Sequence, residues 1–96
     1  MSVSLSTHVL DTERGVPAVG IRVELRRGGE VVASAETDGD GRARLAEELD
    51  PGRYGLGFEP PSPYFRRVEL ELELEDGHHH VPLLVSSFGC VTYRGS

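Results

Sequence analysis

Four histidines, an arginine behind a glycine-rich turn and a patterned ending are where reactive side chains gather in this 96-residue chain. His8 stands alone, whereas His78, His79 and His80 run together. Imidazole titrates near neutral pH, so histidine is suited to moving a proton or to ligating a metal. Along a strand successive side chains point to opposite faces, which puts His78 and His80 on one face and His79 on the other. Two imidazoles fall short of the three protein ligands of a catalytic zinc. His8 supplies a third only if its strand lies beside theirs, so a metal site is not favoured, and the plain alternative is a polar strand entrance. Glu36-Thr37-Asp38-Gly39-Asp40-Gly41, with Glu47 in twelfth place, has the ligand spacing of a calcium-binding EF-hand loop. Its flanks carry strand patterns where an EF-hand needs helices, so a tight β-turn is expected, with Arg42 emerging from it into solvent.

The stretch from Leu83 onward holds an apolar run, a turn, a second strand-like run and then Tyr93-Arg94-Gly95-Ser96. Chain ends are commonly frayed and polar, and this one is expected to be ordered. Cys90, the single cysteine, falls in the second run. A small buried hydrophobe is its expected role, because nothing near it in sequence would lower a thiol pKa.

The elements that must position these residues are strands. Sustained helical periodicity is absent, and two-residue alternation recurs between clusters of Gly, Pro and Asp, the mark of an all-β domain. Strands are expected over residues 6–10, 19–27, 31–37, 54–58, 66–75, 78–85 and 90–94, with only a short one over 43–45. In the second of these, Val19, Ile21, Val23 and Leu25 share the core face. Gly28-Gly29 offers the two positive φ values of a tight hairpin, and Pro60, Pro61 and Pro63 cannot sit in a central strand. Val68, Leu70, Leu72 and Leu74 face inward, which leaves Glu69, Glu71, Glu73 and Glu75 as a solvated row that also resists edge-to-edge aggregation. Seven or eight short strands predict a β-sandwich with Greek-key connections. By alternation Val9, Val81, Leu83 and Val85 are core, and His8, Leu10, His80, Pro82 and Leu84 lie opposite. An outer face so apolar suggests a subunit interface, with both His8 and His80 on it.

Length predicts one domain over residues 1–96, small enough to gain from oligomerisation. A net charge of −6 with no basic face speaks against nucleic acid or an anionic membrane as partner. No apolar run is long enough to span a bilayer, and residues 1–6 lack the form of a secretory signal. One cysteine permits no intrachain disulfide and suits a reducing cytoplasm.

Thr7-His8-Val9-Leu10-Asp11-Thr12 with Gly15-Val16-Pro17-Ala18, then Thr37-Asp38-Gly39-Asp40-Gly41-Arg42, His80-Val81-Pro82-Leu83-Leu84 and Tyr93-Arg94-Gly95-Ser96 together resemble the 5-hydroxyisourate hydrolases, the transthyretin-related enzymes of uric acid degradation. The resemblance runs through nearly the whole chain in order. It implies a prealbumin-like sandwich and a homotetramer, a dimer of dimers, with sites in a channel between dimers. It implies hydrolysis of 5-hydroxyisourate to 2-oxo-4-hydroxy-4-carboxy-5-ureidoimidazoline without metal or cofactor. His8, Arg42, His80 and Ser96 would be catalytic, and Tyr93 and Arg94 would join them in binding the purine-derived substrate. Either histidine would serve as base, Arg42 would stabilise an oxyanion, and the Ser96 carboxylate would orient a histidine or Arg94. The 59–64 segment is shorter than the family's, so the helix usually found there is expected to be missing. His79 stands where tyrosine is frequent, and Ser86-Ser87-Phe88-Gly89-Cys90 replaces Ser-Pro-Tyr-Gly-Tyr. Parts of the pattern also occur in non-catalytic transthyretin-like and carboxypeptidase-regulatory-like binding modules, the alternative reading, which have no reason to keep the two histidines, Arg42 and the ending together.

Overall fold

Alternation is cleanest in the first strand, β1 (Val3–Asp11), where Val3, Leu5, Thr7 and Val9 are buried and Ser4, Ser6, His8 and Leu10 are half-exposed. In the computed structural model, which describes residues 2–95, eight further strands follow. These are β2 (Val16–Pro17), β3 (Arg22–Arg27), β4 (Glu30–Glu36), β5 (Arg42–Leu49), β6 (Gly52–Phe58), β7 (Val68–Leu74), β8 (Gly77–Val85) and β9 (Cys90–Thr92). One sheet runs β2-β1-β8-β9, with β5 also paired to β1, and the other runs β4-β3-β6-β7. β8 follows β1 in parallel from Val3↔Gly77 to Asp11↔Val85. The other edge of β1 is shared, β5 pairing from Val3 to His8 and β2 at Leu10 and Asp11. The chain crosses between the sheets after β2, β4, β5 and β7, which makes the sandwich.

Leu5 and Val9 from β1, Val23 and Leu25 from β3, Leu56 and Phe58 from β6 and Leu83 from β8 are fully buried between the sheets. Each such side chain stabilises the fold by about 1.5–3 kcal/mol relative to exposure. Opposite them on β7, Glu69, Glu71, Glu73 and the adjoining Glu75 are exposed, as the alternation predicts. Arg53 bridges Glu71 and Glu73 at 3.7 and 3.5 Å, contacts that contribute little in solvent. Gly28 and Gly29 take φ of 59° and 86°, the two positive values the β3–β4 hairpin requires. No helix forms among the described residues, and none long and apolar enough to cross a membrane occurs there. Where the helix was expected to be missing, Ser62 pins the loop, its hydroxyl accepting from the Tyr64 and Phe65 amides and donating to the Ser87 carbonyl.

The structure corrects four expectations. It has nine strands, the extra one being the two-residue β2. The strand expected over 19–27 begins at Arg22, and Val19 is 61% exposed. Gly20 turns the chain there at φ 74° while its amide donates to the Thr37 carbonyl. The strand expected over 43–45 extends through eight residues of β5, because long β1 offers it a partner and register shifts absorb its irregular end. Cys90 is exposed, since β9 is an edge strand with no neighbour over it. On the outer face Pro82 is already buried within the chain, with Leu10 and Leu84 half-buried.

Candidate active site

Register brings the sequence candidates together. His8 on β1 pairs with Arg42 on β5 and, on its other side, with Pro82 on β8. One step along, Ser6 lies between Arg44 and His80. His8, Arg42 and His80 therefore share the outer face of one sheet. Beside them opens a depression of about 680 Å³ lined by Ser6, Asp38, Arg42, Arg44, His78 and His80.

The turn before Arg42 is fastened at several points. Asp38 Oδ1 accepts from the Asp40 and Arg42 amides at 2.9 and 3.0 Å, and these bonds hold its carboxyl below the ordinary carboxylate range. Gly41 sits at φ 77°, and a Cβ there would come 2.5 Å from the Val9 carbonyl oxygen. Only glycine lets the turn lie this close to β1, where the Val9 amide donates to the Gly41 carbonyl at 2.7 Å. The Asp38–Gly41 segment is the expected β-turn, and Glu47 points instead to Arg44, 3.3 Å away.

Each histidine has its own environment. His8 Nε2 lies 2.8 Å from the Asp40 carbonyl oxygen. A carbonyl only accepts, so Nε2 carries the proton and Nδ1 the lone pair. His79 faces inward, 5% exposed, and donates from Nε2 to the Glu75 carbonyl at 2.8 Å, a structural clasp away from the depression. His80 Nδ1 is 2.8 Å from Ser6 Oγ. Burial first, and then the proximity of His8, Arg42 and His78, lower its pKa below the ordinary histidine value. It is therefore neutral at pH 7, the state in which an imidazole accepts a proton.

The last segment divides. The Gly95 amide donates to the His80 carbonyl at 2.7 Å. A Cβ on Gly95 would meet His80 Cδ2 at 2.8 Å, so the glycine lets the tail lie against the ring. Tyr93 and Arg94 line a different groove, about 500 Å³, with Leu70, Leu72 and His79, and are not brought to the His80 depression within one chain. Ser96, expected to be catalytic, lies outside the described residues. Among the described residues no three His, Cys, Asp or Glu side chains converge as metal ligands. Sequence reasoning did not single out Ser4 or Ser6, and it weighed His78 only as a metal ligand. Their signal was the spacing Ser4-x-Ser6-x-His8 against His78-x-His80, legible only once β1 and β8 are known to be parallel neighbours.

Two sheets stacked in this strand order, with His8, Arg42 and His80 on one outer face, define a transthyretin-like sandwich. The chain belongs to the HIUase/Transthyretin family, whose profile matches residues 5–95. It is similar to a 5-hydroxyisourate hydrolase of Caulobacter vibrioides, 41% identical over 96% of this chain and 97% of that one. Among solved structures, the 5-hydroxyisourate hydrolase of Klebsiella pneumoniae superposes with a TM-score of 0.89 at 38% identity, covering 100% of both chains. Transthyretin from Sparus aurata shares the fold, with a TM-score of 0.85 at 23% identity over 95% of each chain.

Proposed function

We propose that the protein hydrolyses 5-hydroxyisourate to 2-oxo-4-hydroxy-4-carboxy-5-ureidoimidazoline, a step of uric acid degradation. The observation that carries this reading is the placement of His80 on a sheet face it shares with Arg42 and His8, where burial lowers its pKa. Neutral His80 accepts a proton from water as its oxygen attacks the activated lactam carbonyl. The carbonyl–nitrogen bond then breaks, and the departing nitrogen takes a proton back from His80. Arg42, always charged, holds the ring and stabilises the oxyanion that develops. His8, its Nε2–H committed to Asp40, presents Nδ1 as an acceptor that orients the substrate or the water. Tyr93, Arg94 and Ser96 complete the substrate's surroundings, their segment tied to His80 through Gly95.

The same reading makes the protein a homotetramer, a dimer of dimers whose His8–His80 faces line a shared channel. Support comes from the apolar side chains at the free edge of the sheet, where Val91 and Tyr93 are 59% and 54% exposed. A cytoplasmic location fits the exposed, unpaired thiol of Cys90. The test of the activity is the ultraviolet decay of freshly generated 5-hydroxyisourate. Protein at nanomolar concentration is expected to accelerate it well above the spontaneous rate. Decay at the spontaneous rate overturns the proposal in favour of a non-catalytic module.

A further inference from the structure

Beside the proposed base lies a row of groups that the chemistry above does not use. Ser6 Oγ stands between two imidazoles, 2.8 Å from His80 Nδ1 and 3.1 Å from His78 Nε2. On the far side of His78, Nδ1 is 2.6 Å from Ser4 Oγ. Parallel pairing of β1 and β8 makes this row, for Ser4 is level with His78 and Ser6 with His80, and all four point outward. His80 is half-buried and His78 exposed, so the row runs from the depression to solvent.

Ser6 has one hydroxyl proton for two ring nitrogens, so it can donate to only one of them. A neutral imidazole carries a proton on one nitrogen only. If His80 donates from Nδ1 to Ser6, the Ser6 hydroxyl is free to donate to His78 Nε2, and His78 can then donate from Nδ1 to Ser4. This order leaves the lone pair of His80 on Nε2. The reverse order puts the proton on Nε2 and removes that base. Gly95 packs against Cδ2, the ring atom next to Nε2, so the tail borders the Nε2 edge while Ser6 holds the Nδ1 edge.

We propose that Ser4, His78 and Ser6 form a hydrogen-bonded relay that fixes the Nδ1–H tautomer of His80 and carries away the proton His80 takes from water. The relay rests on the hydrolase reading and extends it to positioning residues that do not touch substrate. The step balances. His80 Nε2 gains the proton of the attacking water, and its Nδ1 proton passes to Ser6 Oγ. The original Ser6 proton passes to His78 Nε2, and the Nδ1 proton of His78 leaves through Ser4 to solvent. The relay then runs in reverse when the leaving nitrogen is protonated. The charged or titratable groups around His80 are His8 on β1, His78 on its own strand, Arg42 and Arg44 on β5, Glu36 on β4 and Asp38 in the turn.

Two readouts separate a relay from a merely structural patch. The first is the tautomer of His80, read from imidazole nitrogen shifts in two-bond proton–nitrogen correlation spectra at pH 8. Wild type is expected to show Nδ1–H, and Ser6→Ala to shift His80 toward Nε2–H. The second is kinetic. Ser6→Ala is expected to lower kcat roughly tenfold, below the full 100-fold or more of a lost acid–base group, with KM within about twofold. Ser6→Thr, which keeps the hydroxyl, is expected to restore kcat. His78→Ala, at an exposed position, is expected to leave the fold intact and to lower kcat without moving KM. Wild-type His80 in the Nε2–H form, or wild-type kcat in folded Ser6→Ala and His78→Ala, overturns the relay. The spectra need no substrate, so they judge the relay even if the protein leaves 5-hydroxyisourate untouched, an outcome that sinks the hydrolase reading separately.

Discussion

At the scale of the residue, the proposal turns on one imidazole, His80, whose pKa is lowered. His80 owes this first to partial burial and then to three cationic or titratable neighbours, His8, Arg42 and His78. A base is useful only when deprotonated, so kcat/KM is expected to rise with pH through a midpoint below the ordinary histidine value of about 6.5 and to be level above it. Stopped-flow assays from pH 5 to 8 check this, and a midpoint above that value contradicts it. The same shift has a stability sign. Below about pH 6.5 the unfolded chain binds a proton at this position that the folded chain resists, so acidification across the window between the two pKa values destabilises the fold. His80→Gln is expected to remove that part of the slope in thermal melts.

His8, Arg42 and His80 became site candidates together through the family resemblance, since local chemistry left Arg42 simply solvent-exposed. Ser4 and Ser6 were not singled out, and His78 was weighed only as a metal ligand. The bonds joining them span 72 to 74 positions, and nothing local in a serine says that it will face a histidine from the other end of the chain.

At the scale of the element, β1 organises the site, because it alone touches β2, β5 and β8. Alternation located β7 closely, since its inward leucines and outward glutamates differ sharply in polarity, and the turn residues on either side bounded β6 and β8. It failed at Val19, where an apolar residue continues the period beyond the Gly20 turn, and in β5, where Ala46, Glu47 and Glu48 break the period although β1 continues to pair. It also misjudged Cys90, because alternation describes a strand's two faces and cannot tell whether the strand lies at an edge. The Asp38–Gly41 turn was read correctly, but its attachment to β1 through Val9 is tertiary and has no local sign. That attachment makes Gly41 the most exposed weakness of the site. Gly41→Ala forces a left-handed φ on a residue with a Cβ and brings that Cβ against the Val9 carbonyl. It is expected to cost about 1–3 kcal/mol, read by denaturant unfolding, and to lower kcat by displacing Arg42. Unchanged stability and activity would show that the turn is not held as described.

At the scale of the whole molecule, one chain leaves the site open. The depression beside His80 has solvent on one side, and Tyr93 and Arg94 belong to another groove. The proposed dimer of dimers would close the face and give the exposed edge at Val91 and Tyr93 a partner. Sedimentation equilibrium is expected to return a mass four times that of the 10.5 kDa chain, and a monomer at micromolar concentration contradicts the assembly. The apolar outer face was readable from Leu10, Pro82 and Leu84, although Pro82 is covered within the chain and the patch is smaller than alternation implied.

The most direct measurement follows freshly generated 5-hydroxyisourate by its ultraviolet absorbance with wild type and with His80→Ala side by side, both verified as folded. Wild type is expected to accelerate the decay, and the variant to lose roughly 100-fold or more of that acceleration, the usual contribution of a positioned acid–base group. Equal rates for the two proteins would contradict the assignment of hydrolysis to His80.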